Sequence, residues 1–192
     1  LVAGGDDSEG LSGNGGLHMD WTRMARAVRL AIRQLDRVID VNLYQIESAK
    51  KSNDLWRPIG LGLMGLQDVF FAMGLAFDSP EAKALSTRIS EEICFHAYSA
   101  SVELAREAAV AAGDILGSGA HANFGMTRAA GGELCFDSWG VTPTDALSLE
   151  EFEMAGDEYS GNGRWEKLRQ DVATHGLRNS LMIAIAPTAT IA

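Results

Sequence analysis

Five residues, Pro187, Thr188, Ala189, Thr190 and Ile191, have the types and order that can hold a ligand. The chemistry they suit is anion binding. Proline ends a strand ladder because it has no N–H to donate. The small, uncharged residues behind it carry backbone N–H groups that no local side chain satisfies. A helix starting here turns those amides toward a ligand, adds the favourable end of its dipole, and offers threonine hydroxyls as further donors. In the plainer alternative, Thr188 or Thr190 is an ordinary N-cap leaving a core strand.

Something must deliver that loop. The preceding run, 181–186, is apolar and short, which suits one fully buried strand better than a helix. Arg178 and Asn179 stand at its entrance, where polar side chains can tie neighbouring loops together. A second apolar stretch runs from Arg57-Pro58 through Gly60, Gly62 and Gly65. Its glycine spacing imitates a dinucleotide loop, but no acidic ribose partner follows at the required distance. Close packing is the better account: the glycines let a strand at 59–63 and the helix after it approach their neighbours.

The rest reads as helices. Asp20 caps one running to about Val41, with Trp21, Met24, Ala25, Val28, Ile32, Leu35, Val38 and Ile39 on one stripe. Arg23, Arg26, Arg29, Arg33 and Arg37 fall on a solvated face, with Asp36 and Asp40 at pairing distance from some of them. Ser79-Pro80-Glu81 starts a long helix that stops at Gly113. Its apolar stripe carries His96 as a core or rim histidine and Cys94 as a small buried hydrophobe. Residues 113–132 read as irregular, Phe136 and Trp139 as aromatic pins for a loop, 148–154 as a short helix, and 165–175 as a helix closed by Gly176. Residues 1–18 read as a flexible, glycine-rich, acidic lead-in.

Composition narrows the class. The 192 residues are 46% hydrophobic and 22% charged, as in a globular chain. A net charge of −10 opposes a basic nucleic-acid face but not the capture of one phosphate by backbone amides. Cys94 and Cys135 form no C-x-x-C and have no histidine at metal spacing, which fits a reduced, cytoplasmic chain. No signal peptide or membrane span is expected, since Gln67 and Asp68 interrupt the most apolar window.

RNSLMIAIAPTATIA resembles the segment of the ribonucleotide reductase large (catalytic) subunit in which a barrel strand ends in a phosphate-binding loop. RPIGLGLMGLQDVFFAMGLAFDSPEA is similar to the same family, in a region that is structural there. DSWGVTPTD resembles a segment of many class I large subunits. The resemblance runs from about Trp21 to Ala192. It implies an α/β fold: a mostly helical fragment of the ten-stranded reductase barrel, with short strands at 59–63 and 181–186 and a partial barrel domain over 19–192, truncated at both ends.

The resemblance further implies an oxidoreductase that reduces ribonucleotides by thiyl-radical chemistry for DNA synthesis. In it, Pro187–Ile191 hold the diphosphate of a ribonucleoside diphosphate substrate. The implied partners are a radical-generating small subunit carrying the metal, a second large subunit, and thioredoxin or glutaredoxin as reductant, with ATP and dNTP effectors bound outside this stretch. Membranes and direct nucleic-acid contacts are not among them. The family's Asn-x-Cys-x-Glu, tyrosine-pair and C-terminal cysteine-pair motifs are absent from 1–192. No catalytic or metal-binding residue is therefore assigned, Cys135 takes no catalytic role, and the fragment alone is expected to be inactive. The alternatives are a cobalamin-dependent (class II) reductase, which would use adenosylcobalamin, and a non-catalytic helical scaffold protein.

Overall fold

The computed structural model describes residues 2–4, 17–113, 119–141, 143 and 163–187. Its elements are β1 (Val2–Gly4), β2 (Leu17–Met19), α1 (Trp21–Val41), α2 (Glu47–Trp56), α3 (Leu66–Ala72), α4 (Pro80–Ala111) and α5 (Arg164–His175). Three 3-10 turns, Phe124–Met126, Arg128–Gly131 and Asp137–Trp139, lie between α4 and α5. β1 and β2 pair antiparallel, Val2 opposite Met19. The stretch 1–18, read as a flexible lead-in, thus carries strands at its two ends, where the composition turns from glycine and acid to apolar residues.

Local signals set the helix ends. Asp20 accepts a hydrogen bond from the Arg23 amide at 2.8 Å and opens α1. Ser79 does the same for the Ala82 amide at 3.1 Å, with Pro80 at the first helical position of α4. Gly176 follows α5, its amide bonded to the Val172 carbonyl. The helix α2 was not expected, because none of its residues is buried and it shows no apolar stripe to read.

The core forms where α1 and α5 lie against α4. Met24, Ala25, Val28 and Ile32 of α1 meet Ile89, Ile93, Ala97 and Ala100 of α4. Fully burying each large aliphatic side chain contributes about 1.5–3 kcal/mol. Trp165 of α5 packs edge-on against Phe95 (5.0 Å) and Phe136 (4.8 Å). Phe136 is the aromatic pin of its loop. Trp139, expected to share that role, is instead 73% exposed.

The arginine face of α1 also differs from the expectation. Arg29 and Arg33 are not simply solvated: they bind Glu103 and Glu107 of α4, at 2.5 Å for Arg29–Glu103 and 2.7 Å for Arg33–Glu107. Asp36 and Asp40, expected to pair with arginines on their own helix, turn to Arg57 instead. A helical spacing lists potential neighbours within one helix, but the packed partner lies closer and excludes more water.

The two expected strands pair less regularly than a barrel requires. Leu61 and Ile183 form one parallel bridge, and no regular strand occurs at 59–63 or 181–186. Among the described residues there is no barrel. A parallel ladder needs partners along its edges, and no other described segment extends this one.

Candidate functional site

The chain leading to Pro187 is held residue by residue. The Arg178 amide bonds to the Ser101 carbonyl (3.2 Å), the Asn179 amide to the Ser101 hydroxyl (3.0 Å), and the Ser180 amide to the Trp56 carbonyl (3.0 Å). Then the parallel contact begins: Ile59 N–H to Leu181 O (2.9 Å), Leu61 N–H to Met182 O (2.8 Å), and Ala184 N–H to Leu61 O (3.0 Å). These bonds tie 178–179 to Ser101 of α4 and align 180–184 with 56–61, on the way to Pro187.

The glycines at 60 and 62 make that approach possible. A Cβ added at Gly60 would stand 3.0 Å from the Ala184 Cβ, and one at Gly62 would stand 3.1 Å from the Ala184 carbonyl oxygen. The close-packing reading of this stretch therefore holds at both positions. Gly65, with φ of +78°, is needed for its left-handed backbone ahead of α3.

Beneath the stem lies a buried polar hub. Arg57 ends α2 in the left-handed conformation (φ 45°), a position that normally favours glycine. Its side chain is 7% exposed and reaches Asp36 (Nε–Oδ1 2.9 Å), the Asp36 carbonyl (3.0 Å) and Asp40 (2.7 Å). Asn179 joins it, donating to Asp36 Oδ1 at 2.8 Å and to the Arg57 carbonyl at 3.2 Å. Burial opposes the charge on Arg57, but its hydrogen bonds to Asp40 and Asp36 overcome that and raise its pKa. The hydrogen bond from Arg57 in turn holds the Asp40 carboxyl below its ordinary range.

Of the residues expected to bind phosphate, Pro187 is exposed at the end of this stem. Thr188, Ala189, Thr190 and Ile191 lie outside the described residues. Upstream, the run 181–186 is not fully buried as expected. Met182 packs into the core, while Leu181, Ile183 and Ile185 are 65%, 36% and 63% exposed. Both faces of the run are apolar; Met182 is its one buried residue, and the face of Leu181, Ile183 and Ile185 is bare among the described residues. The bare face borders a cavity of about 480 Å3 with Leu63, Ile93 and Tyr98.

Sequence reasoning missed the hub. One signal was present: Asp36 sits on the apolar stripe of α1 between Ile32 and Ile39, where an acid needs a buried partner. A second missed cluster joins Glu92, Arg164 and His96. Arg164 of α5 clasps both carboxylate oxygens of Glu92, and His96 Nε2 stands 3.5 Å from Glu92. Burial alone would raise the Glu92 carboxyl. Hydrogen bonds from His96 and Arg164 win, holding it below the ordinary range. His96 is fully buried, as its place on the stripe implied. The third is Cys94 and Cys135, whose sulfurs stand 3.8 Å apart. Among the described residues no group of three or more His, Cys, Asp or Glu is placed to hold a metal. No described helix is long and apolar enough to cross a membrane.

A mainly helical body thus carries a chain with one parallel bridge to Pro187. The "Ribonucleotide reductase, barrel domain" family matches residues 14–192, and the chain belongs to that family. Over 173 residues it is 38% identical to a ribonucleoside-diphosphate reductase large subunit of Caenorhabditis elegans, a match covering 90% of this chain and 19% of that protein. It is 35% identical to the large subunit of Arabidopsis thaliana over 90% of this chain and 18% of the relative. For the large chain of Schizosaccharomyces pombe the identity is 34%, over 89% of this chain and 18% of the relative. The chain thus spans about a fifth of the length of these relatives.

Proposed function

We propose that this chain is part of the large subunit of a ribonucleoside-diphosphate reductase, an oxidoreductase that makes deoxyribonucleotides by thiyl-radical chemistry. Its own share is scaffold plus the loop Pro187–Ile191, which holds the substrate's diphosphate. The observation that carries this reading is the parallel contact of 59–61 with 181–184, which ends in a proline at the solvent edge. Beyond Pro187 the sequence offers the amides of Thr188, Ala189, Thr190 and Ile191 and two hydroxyls, the donor set an anion needs. The reading also draws on the membership of the family and on the relatives' names, which specify diphosphates.

The apolar faces of 181–186 support the barrel. A strand apolar on both sides belongs in a parallel sheet covered from both faces, and an uncovered face weighs against a stand-alone scaffold. In the whole protein we expect a radical-generating small subunit, a second large subunit, thioredoxin or glutaredoxin as reductant, and a cytoplasmic location. A metal held by that small subunit would supply the radical, and no residue of this chain is proposed to hold it. The residues of this chain orient the nucleotide through its phosphates and keep the loop's stem rigid.

The test is substrate and effector affinity, measured separately on the full-length protein carrying Ala189→Asp. A carboxylate at the loop should repel the diphosphate and weaken substrate binding while effector binding stays as in the parent. Unchanged substrate affinity would overturn the phosphate-loop assignment.

A further inference from the structure

Cys94 and Cys135 are 41 residues apart in sequence, yet their sulfurs meet at 3.8 Å where the loop after the second 3-10 turn crosses α4. Both thiols are free and half-buried. Tyr98, one helical turn beyond Cys94, reaches the same point: its hydroxyl accepts from the Cys135 amide at 3.3 Å. An S–S bond is ~2.05 Å long. Forming it would require the sulfurs to close by about 1.8 Å, through side-chain rotation and a shift of the loop. A cavity of about 410 Å3 whose lining does not include 181–185 borders both cysteines and gives a small reagent room to approach.

We propose that Cys94 and Cys135 form a modification site, a reversible intramolecular disulfide made by hydroperoxides and reopened by dithiols. Cys135 is the attacking sulfur. The hydrogen bond from the Cys94 thiol, aided by Tyr98 and nearby amides, outweighs burial and lowers its pKa to about 6, whereas Cys94 is pushed up. This bias favours a thiolate at Cys135 beside a thiol at Cys94, the arrangement that a peroxide-sensing pair requires.

The electrons balance in two steps. The Cys135 thiolate attacks the peroxide O–O bond, takes one oxygen as a sulfenic acid, and releases the other as an alcohol, or as water from hydrogen peroxide, with one proton taken up. The Cys94 sulfur then attacks the sulfenic sulfur, the S–O bond breaks, and hydroxide leaves as water with the thiol proton. Two electrons have passed from the two thiols to the peroxide. A dithiol reverses the step by exchange and becomes a disulfide itself. The bridge would tie α4 to the loop before Asp137, beside the uncovered face of 181–185. The proposal is independent of the phosphate-loop reading.

The experiment treats the full-length protein with graded hydrogen peroxide, blocks remaining thiols with N-ethylmaleimide, and digests with trypsin without reductant. Mass spectrometry should find peptides 89–106 and 129–164 joined and two hydrogens lighter than their sum. The joined species should vanish on treatment with dithiothreitol. Cys94→Ala should lose the link and, without the hydrogen bond from the Cys94 thiol, oxidise at Cys135 more slowly, to a sulfenic acid that dimedone traps. Maleimide on both cysteines at peroxide levels that oxidise other thiols of the protein would overturn the proposal. So would sulfinic acid or a dimedone adduct at Cys135 in the parent protein without any joined peptide. Both readouts use the unmutated protein, so folding of the variants does not enter.

Discussion

The side-chain amide of Asn179 donates to Asp36 Oδ1 at 2.8 Å, across 143 residues of sequence. With Arg57 between them, this bond fastens the entrance of the loop stem to the middle of α1. Their effect is positional: they fix where the chain starts on its way to Pro187.

Replacing Asp36 with Ala should strongly destabilise the protein. Arg57 would keep only Asp40, which is half exposed, as its carboxylate partner. Removing one member of a buried pair costs about 3–5 kcal/mol, because the remaining charge stays buried. The denaturant midpoint of the full-length protein measures it. A change no larger than that of a surface substitution would show that the hub is dispensable.

Gly60→Ala and Gly62→Ala should each push the stem away from Ala184. Overpacking of this kind costs typically about 1–3 kcal/mol, and it should also lower substrate affinity by displacing the loop. Gly125→Ala is the control, since a Cβ there meets nothing within 4 Å. It should stay within about 0.5 kcal/mol of the parent. Equal effects at all three positions would remove close packing as the reason for these glycines.

The Glu92–Arg164 pair predicts an acid limb. The folded protein holds the Glu92 pKa below its ordinary 4.5. Its stabilisation is therefore complete above that value and is lost as pH falls through the lower folded one. Stability measured from neutral into the acid range should drop less steeply for Glu92→Gln than for the parent. Identical slopes would assign the acid limb to other carboxylates.

At the loop, Thr190→Val removes one hydroxyl and keeps the backbone amides. A hydrogen bond to a charged group contributes about 1.5–3 kcal/mol, so substrate affinity should fall roughly ten- to a hundredfold. Direct titration with a ribonucleoside diphosphate reads it. Unchanged affinity would leave the amides as the only donors.

Several features follow from the sequence by itself. Asp20, Ser79-Pro80 and Gly176 mark helix ends because a cap acts within one turn of its own residue. The stripe from Trp21 to Ile39 marks the buried face of α1 because helical period is a local property. The motifs around Arg57-Pro58 and Arg178–Pro187 carried the family, and the glycines at 60 and 62 carried the close approach. Tertiary structure alone decided who faces whom. Asp36 chooses Arg57 and Asn179 over the arginines of its own helix, Arg29 and Arg33 find Glu103 and Glu107, and Cys94 finds Cys135. Each of these pairings depends on how separate helices and loops pack, and burial then strengthens one partner over the others. The same reason holds for 59–63 and 181–186: an apolar run encodes the capacity to be a strand, but a ladder exists only where neighbouring chain supplies the hydrogen bonds.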